Sequence, residues 1–308
     1  MSILSDQRRL VPVGLLYLVF VSAVIYLAFS HWGYDDPYIT YRYAHNLLAG
    51  RGFVYNPGEH VLSTTTPLFT LLLALGGMFW ADLPHLGILV GAASLALGGL
   101  FLWDLARSWK TPAVGWAGLL IYPFFPLLLS TLGSETPLYL TFCLGSFAFY
   151  TRQRYTGSAL CAVLAVLTRP DGILLVVVLA ADFILQKRRP EPWRAIVVFL
   201  ACLLPWLIFA WLYFGSPLPA TLAAKQHQAA MAISQGFASG FWSLVKEYAR
   251  HWFYWIEAAL ALLGLAYAGS GGKRWLLLLA WSALYFASYS FLGVSRYFWY
   301  YAPLVPAL

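Results

Sequence analysis

Two carboxylates stand side by side at Asp35 and Asp36, just after an apolar run that ends at Ser30 and just before Pro37. Adjacent acids repel each other, and a proton, a cation or a donor-rich ligand relieves that repulsion. At the mouth of a membrane helix, such a pair suits a general base or a ligand for a divalent cation. A plainer reading accounts for one of the two. Asp36 followed by Pro37 has the form of an N-cap and a first-turn proline, and Gly50 is a natural stop, which predicts a short helix from Pro37 to about Leu48. That helix would carry Tyr38, Arg42 and His45 on one face and Ile39, Tyr43 and Leu47 on another, the pattern of an amphipathic helix lying along a membrane interface. Asp35 is then either solvated or functional.

The elements that must position these acids are apolar. Of 308 residues, 61% are hydrophobic and 10% charged, with 14 Trp, 20 Tyr and 21 Phe. That is more apolar surface than a soluble domain buries against itself, and it places the chain in a bilayer. The first run, Leu10 to Ser30 behind Arg8 and Arg9, is long enough to cross about 30 Å of hydrocarbon and has the form of an uncleaved signal-anchor. The formal charge of +7 sits in short clusters between apolar runs. This is the pattern of cytoplasmic anchoring rather than of nucleic-acid binding.

Further spanning helices are expected near 85–106, 113–130, 137–151, 195–213, 245–268 and 275–293, with another beginning near Tyr297. Charge decides how the remaining apolar segments count. If 66–80 is a short helix in or re-entering the outer leaflet and 158–186 is a pair of helices turning at "TRPDG", then "DQRR", "RSWK", "RQR", "QKRRPEPWR" and "GSGGKR" all fall on the cytoplasmic side. The pieces "YDDPY", "GSET", "TRPDG", "FGSPLPATLAAK" and "SRYFWYY" then face the other way. A full crossing at 66–80 with a single crossing at 158–186 scatters the basic clusters over both faces. The fold class expected is an all-α polytopic transmembrane helical bundle with an amphipathic extracytoplasmic loop helix after the first span. Residues 1–308 read as one integral-membrane domain, with 31–66 as its first extracytoplasmic loop. The chain ends inside an apolar run, as a C-terminally truncated chain would.

Beyond the acid pair, "DDPYITYRYAHNLLAGRGFVYNPGEHVLSTTTPLFT" resembles the first extracytoplasmic loop of the GT-C superfamily of polytopic glycosyltransferases, in the branch of bacterial arabinofuranosyltransferases and related polyprenyl-phosphate-sugar enzymes. The resemblance continues in order through "GSETPLYL", "VLAVLTRPDGILL", "FGSPLPATLAAK" and "SRYFWYYAPLVP". It implies a GT-C-like fold in the plasma membrane. The activity implied is transfer of a sugar from a polyprenyl-phosphate donor to a hydroxyl of a glycan, lipid or protein acceptor outside the cytoplasm, with inversion. It implies Asp35 or Asp36 as the base, or the pair as ligands of a divalent cation such as Mg or Mn, with Glu135 as a second acid that could share the ion. Direct displacement at an anomeric carbon needs one base, while a lipid phosphate leaves with cationic help alone, unlike the paired carboxylates of a hydrolase.

Candidates for the donor phosphate are Arg42, Arg169, Lys225 and Arg296, with Tyr297 beside them to stack on a sugar or wall a prenyl chain. Each has a structural alternative. Arg169 could pair with Asp171, Lys225 could snorkel to the interface, and Arg296 could be a cation–π anchor among its aromatic neighbours. Ser134 or Glu135 could complement the dipole of the following helix, and the hydroxyls of "STTTP" could cap the helix after Pro67. His45, His60 and His227 have no metal-like spacing, and Cys143, Cys161 and Cys202 read as small core residues. The rival functions are a transporter or flippase, which should show internal symmetry and mid-span charges, and a non-catalytic membrane subunit.

Overall fold

The computed structural model describes residues 3–186, 192–229, 231 and 234–307; the stretch 187–191 of the basic "QKRRPEPWR" cluster lies outside them. It divides into two compact units, Met1–Gly172 with Glu191–Leu218, and Ile173–Pro190 with Pro219–Leu308. Among the described residues the chain is helical, with one isolated β-bridge between Gly236 and Ser295.

The first unit opens with α1 (Ile3–Phe29), whose apolar part Val11–Phe29 is long enough to span. The amphipathic helix α2 then runs from Pro37 to Leu48, as expected, and buries Thr40, Tyr41, Tyr43 and Ala44 while Tyr38, Arg42 and His45 remain exposed. Next, α3 (Pro67–Gly77) has 11 residues, far fewer than the about 20 that a crossing requires. The second long span is α4 (Leu83–Trp109), with 27 residues.

The expected continuous helix over 113–130 does not form. Instead α5 (Pro112–Leu120) is followed by a 3-10 turn at Tyr122–Phe124 and by the single turn α6 (Pro126–Leu129). Pro123 and Pro126 each remove an amide donor and obstruct the preceding turn, so an apolar run of spanning length breaks into three pieces. Helices α7 (Thr136–Thr151) and α8 (Tyr155–Thr168) pack together through small residues. Ser146 Oγ and Ser158 Oγ lie 3.0 Å apart, and each hydroxyl also reaches the other residue's carbonyl at 3.0 Å, the kind of close helix contact that small polar residues permit in a membrane. The unit closes with α10 (Trp193–Phe214), the third helix of spanning length.

The starts of α8 and α10 meet: Arg154 and Arg194 line one cavity. A single crossing over 158–186 would put them on opposite faces. In place of one continuous helix, the chain forms two short ones there, α8 and α9 (Ile173–Leu185), separated by a 3-10 turn at Pro170–Gly172.

In the second unit, which includes α9, the helix α11 (Thr221–Ala229) precedes α12 (Phe237–Tyr248), α13 (Trp252–Ser270) and α14 (Leu276–Leu292). The span expected over 245–268 therefore begins later, at Trp252, and the separate amphipathic α12 before it was not anticipated. Trp281 and Tyr285 of α14 are fully buried. Phe237 stacks on Tyr301 with centroids 4.7 Å apart, and the Tyr301 hydroxyl donates to the Phe237 carbonyl at 2.7 Å. A turn at Phe298–Tyr300 and a 3-10 stretch at Ala302–Ala307 follow where another helix was expected to begin.

The loop after α2 is fixed from inside that helix. Asn46, fully buried, donates its amide to the carbonyls of Val54 (2.9 Å) and Tyr55 (2.8 Å), and the Tyr43 hydroxyl donates to the Val61 carbonyl (2.6 Å). Asn46→Ala removes a donor from two carbonyls at once. It is expected to cost about 1–3 kcal/mol, read as a lower thermal midpoint in detergent together with faster proteolysis of residues 49–66.

Candidate functional site

The acid pair is built by backbone geometry at the start of α2. The Asp35 carboxylate accepts from the Asp36 amide at 2.9 Å, and the carbonyls of Asp35 and Asp36 accept from the amides of Tyr38 (3.0 Å) and Ile39 (3.2 Å). Asp36 is itself helical, at φ −57 and ψ −42, and its side chain makes no capping bond. The expected Asp36 side-chain cap is thus not formed, because a helical residue points its side chain away from the N–H groups ahead of it. Asp35 is exposed and Asp36 half-buried, both where the positive end of the helix dipole favours negative charge. Trp32 Nε1 donates to the Ser130 carbonyl at 3.0 Å, tying this loop to the segment before α7.

The second acid lies on that segment. Ser134 Oγ accepts from the Thr136 amide at 3.3 Å and donates to the Thr131 carbonyl at 2.7 Å, so Ser134 supports the start of α7 and the Glu135 side chain makes no cap. Glu135 turns instead to Arg169 Nη1 at 3.4 Å. The Arg169 guanidinium also holds Asp171 through Nη2 (2.8 Å) and Nε (3.2 Å), donates to Thr136 Oγ1 at 3.2 Å, and lies 5.3 Å over the Tyr139 ring. Arg169 is only 4% exposed. The Arg169–Asp171 pairing considered from sequence is therefore present, joined by Glu135 from another element.

Burial pushes the Glu135 carboxyl up to about 7 against the pull of Arg169, and the charges of Asp36 and Asp171 add to the rise. Tyr34, which sequence reasoning did not single out, belongs to the same group. Its hydroxyl bonds to Ser134, and burial together with Glu135 and Asp36 holds its pKa well above the ordinary value. Its only signal in the sequence is adjacency to the acid pair. The turn carrying Arg169 and Asp171 depends on Gly172, where an added Cβ would come within 2.7 Å of the Val166 amide nitrogen and 2.8 Å of the Ala165 carbonyl carbon.

Arg42 is exposed; its Nε donates to the Tyr55 carbonyl at 3.3 Å and its guanidinium lies 5.9 Å over the Tyr55 ring. The hydroxyls of "STTTP" do not cap α3. Thr66 Oγ1 lies 3.0 Å from both Thr40 and Thr64, so the cluster joins α2 to the loop before α3. His60 stacks on Tyr213 at 4.1 Å, while His45 and His227 are exposed.

In the second unit, Lys225 Nζ lies 4.5 Å over the Tyr297 ring and 5.7 Å over that of Trp299, two rings stacked 4.4 Å apart. The Tyr297 hydroxyl bonds Gln228 at 3.2 Å. Arg296 is exposed and donates to Gln235 at 2.8 Å. The aromatic seat expected of Arg296 is taken by Lys225. Among the described residues no three His, Cys, Asp or Glu side chains form a metal-ligand set, so Asp35, Asp36 and Glu135 are not gathered into the carboxylate cage considered for a divalent cation. The cysteines are free, with Cys143 buried and Cys161 and Cys202 half-buried.

No family model matches the chain. It is 30% identical over 263 residues to a terminal beta-(1->2)-arabinofuranosyltransferase of Mycobacterium tuberculosis, an alignment that covers 76% of this chain and 40% of that protein. Its fold matches the crystal structure of ArnT from Cupriavidus metallidurans bound to undecaprenyl phosphate, with a TM-score of 0.64 and 18% identity, over 95% of this chain and 58% of that one. The chain thus spans about two fifths of the arabinofuranosyltransferase and under two thirds of ArnT. The resemblance to polytopic GT-C glycosyltransferases carried by the motifs is met in both sequence and fold, and the chain is an all-α polytopic membrane protein.

Two stability experiments address the ion cluster. Asp171→Ala removes the shorter of the two ion pairs described for the buried Arg169 charge, and is expected to cost about 3–5 kcal/mol, seen as a large drop in thermal midpoint. Glu135 behaves oppositely. Because folding raises its pKa from 4.5 to about 7, the stability is fully present below about pH 4.5 and is lost as pH rises through about 7, a loss on the order of 3 kcal/mol. Glu135→Gln is expected to flatten that decline in a pH series of thermal midpoints.

Proposed function

We propose that the chain transfers a sugar from a polyprenyl-phosphate-linked donor to a hydroxyl of a glycan, lipid or protein acceptor on the extracytoplasmic side, with inversion at the anomeric carbon. The observation that carries this reading is the pair of acids at the start of α2, one exposed and one half-buried, electrically coupled through Asp36 to the buried Glu135–Arg169–Asp171 cluster. The arabinofuranosyltransferase similarity supports a pentofuranose as the first sugar to test. The undecaprenyl phosphate bound to ArnT supports the lipid carrier.

In this reading, one carboxylate of the pair takes the proton of the attacking hydroxyl as the new glycosidic bond forms, and polyprenyl phosphate departs as its own leaving group. Arg169 is already engaged by the carboxylates of Glu135 and Asp171, so it serves to hold that cluster rather than to receive the phosphate. We assign that task to more exposed cations, for which each unit by itself offers candidates: Arg42 on α2 in the first, and Lys225 and Arg296 with the aromatic face of Tyr297 in the second.

Full-length protein in detergent, supplied with a panel of polyprenyl-phosphate sugars, tests the reading. Wild type is expected to release polyprenyl phosphate from one donor. Either Asp35→Asn or Asp36→Asn is expected to slow this by about 10²–10⁴-fold while donor binding persists, and the affected position identifies the base. Turnover at the wild-type rate in both variants would sink the proposal.

A further inference from the structure

Away from the acids, a cavity of about 340 Å³ lies between the start of α8, with Gln153, Arg154 and Thr156, and the start of α10, with Pro192 and Arg194. Its size falls within the range of about 300–1,000 Å³ typical of ligand sites. Its two guanidinium groups give it a positive lining. Neighbouring Arg152 is bound to Asp104 of α4 and is not among the lining residues. Arg154 follows α7 directly. The Gln153 amide bonds the Tyr150 carbonyl and the Arg154 amide bonds the Phe149 carbonyl, both at 2.9 Å, with Gln153 in the left-handed region at φ 59. That tight reversal turns the chain into α8 directly behind Arg154. Arg194 is held 5.3 Å over the Trp193 ring.

The position of the cavity says what fills it. Below it, α10 presents an exposed apolar stripe through Trp193, Ile196, Leu200, Leu204, Ile208 and Trp211, with the spacing of one helix face. From Trp193 to Trp211 the stripe is about 27 Å long at 1.5 Å per residue, close to the about 30 Å of a hydrocarbon core. An exposed apolar stripe of that length matches the acyl region of a bilayer. The cavity sits at the stripe's end and is lined by two arginines.

We infer that the Arg154–Arg194 cavity binds the headgroup phosphate of an anionic phospholipid whose acyl chains lie along the exposed face of α10. Basic pockets between membrane helices hold anionic headgroups in this way, and each planar guanidinium can take a phosphate through two parallel hydrogen bonds. The inference is independent of the sugar-transfer reading, because it concerns lipid occupancy and none of the residues proposed for transfer.

Delipidated full-length protein in neutral detergent is titrated with phosphatidylglycerol or phosphatidylcholine of identical acyl chains, and bound lipid is counted by native mass spectrometry alongside the thermal midpoint. Wild type is expected to prefer phosphatidylglycerol by about thirty-fold, from about 1 kcal/mol for each arginine. Arg154→Gln/Arg194→Gln is expected to lose that preference, each single substitution part of it, and Arg154→Lys/Arg194→Lys to keep most of it. Both arginines are exposed, so the glutamine variants should fold; the single variants provide the reading if the double one does not. Equal phosphatidylglycerol binding by wild type and the double glutamine variant overturns the proposal. So does inorganic phosphate alone raising the thermal midpoint as much as the lipid, which would make this a site for a free anion.

Discussion

The Arg169 guanidinium is a full positive charge in a nearly dry setting, and it must be balanced where it stands. A buried cation in a membrane protein is tolerated only with partners placed to neutralise it and to accept its hydrogen bonds. Asp171 arrives on the same 3-10 turn, Glu135 and Thr136 from the start of α7, and Tyr139 lends its ring face one turn further on. The partners come from two pieces of backbone, the start of α7 and the turn after α8, so satisfying one charge fixes how these two approach each other. Gly172 is the covalent condition for this, since a side chain there would collide with the backbone of α8.

The acid pair depends on that cluster through a second chain of contacts. The Tyr41 hydroxyl donates to the Gly133 carbonyl at 2.6 Å, joining α2 to the segment that carries Glu135. Gly87 of α4 permits the approach, since a Cβ there would come within 2.8 Å of the Tyr41 oxygen and 3.0 Å of the Gly133 carbonyl oxygen. Asp36 is close enough to Glu135 for its charge to add to the rise in the Glu135 pKa. Burial, with the charges of Asp36 and Asp171 beside it, favours the protonated form of Glu135, while Asp35 stays exposed at the start of α2.

The two ends of the first unit are chemically unlike. One gathers acids, hydroxyls and a single buried arginine; the other gathers exposed arginines beside an apolar stripe. At the second end the starts of α8 and α10 come together, so that Arg154 and Arg194 line one cavity. In the second unit the same aromatic excess that suits a membrane belt is organised into a stacked pair, Tyr297 and Trp299, that seats Lys225.

Much was legible in the chain itself. Hydrophobic run lengths pointed to membrane residence and included the three long spans found among the described residues, the Asp-Pro and Gly signals bounded α2 at Pro37 and Leu48, and the charge clusters favoured two short helices at 158–186 over one crossing. These are local properties, fixed by periodicity, by proline and glycine chemistry and by the cost of moving charge across a bilayer. The tertiary structure alone decided the rest. Proline positions inside the 113–130 run turned a span into pieces, although composition there reads as continuous. Asp36 became helical and with that gave up its side-chain cap. Arg169 acquired Glu135, 34 residues away, and Lys225 rather than Arg296 took the aromatic seat. Such choices depend on which distant side chains share a buried volume, and neither periodicity nor spacing along one chain specifies that.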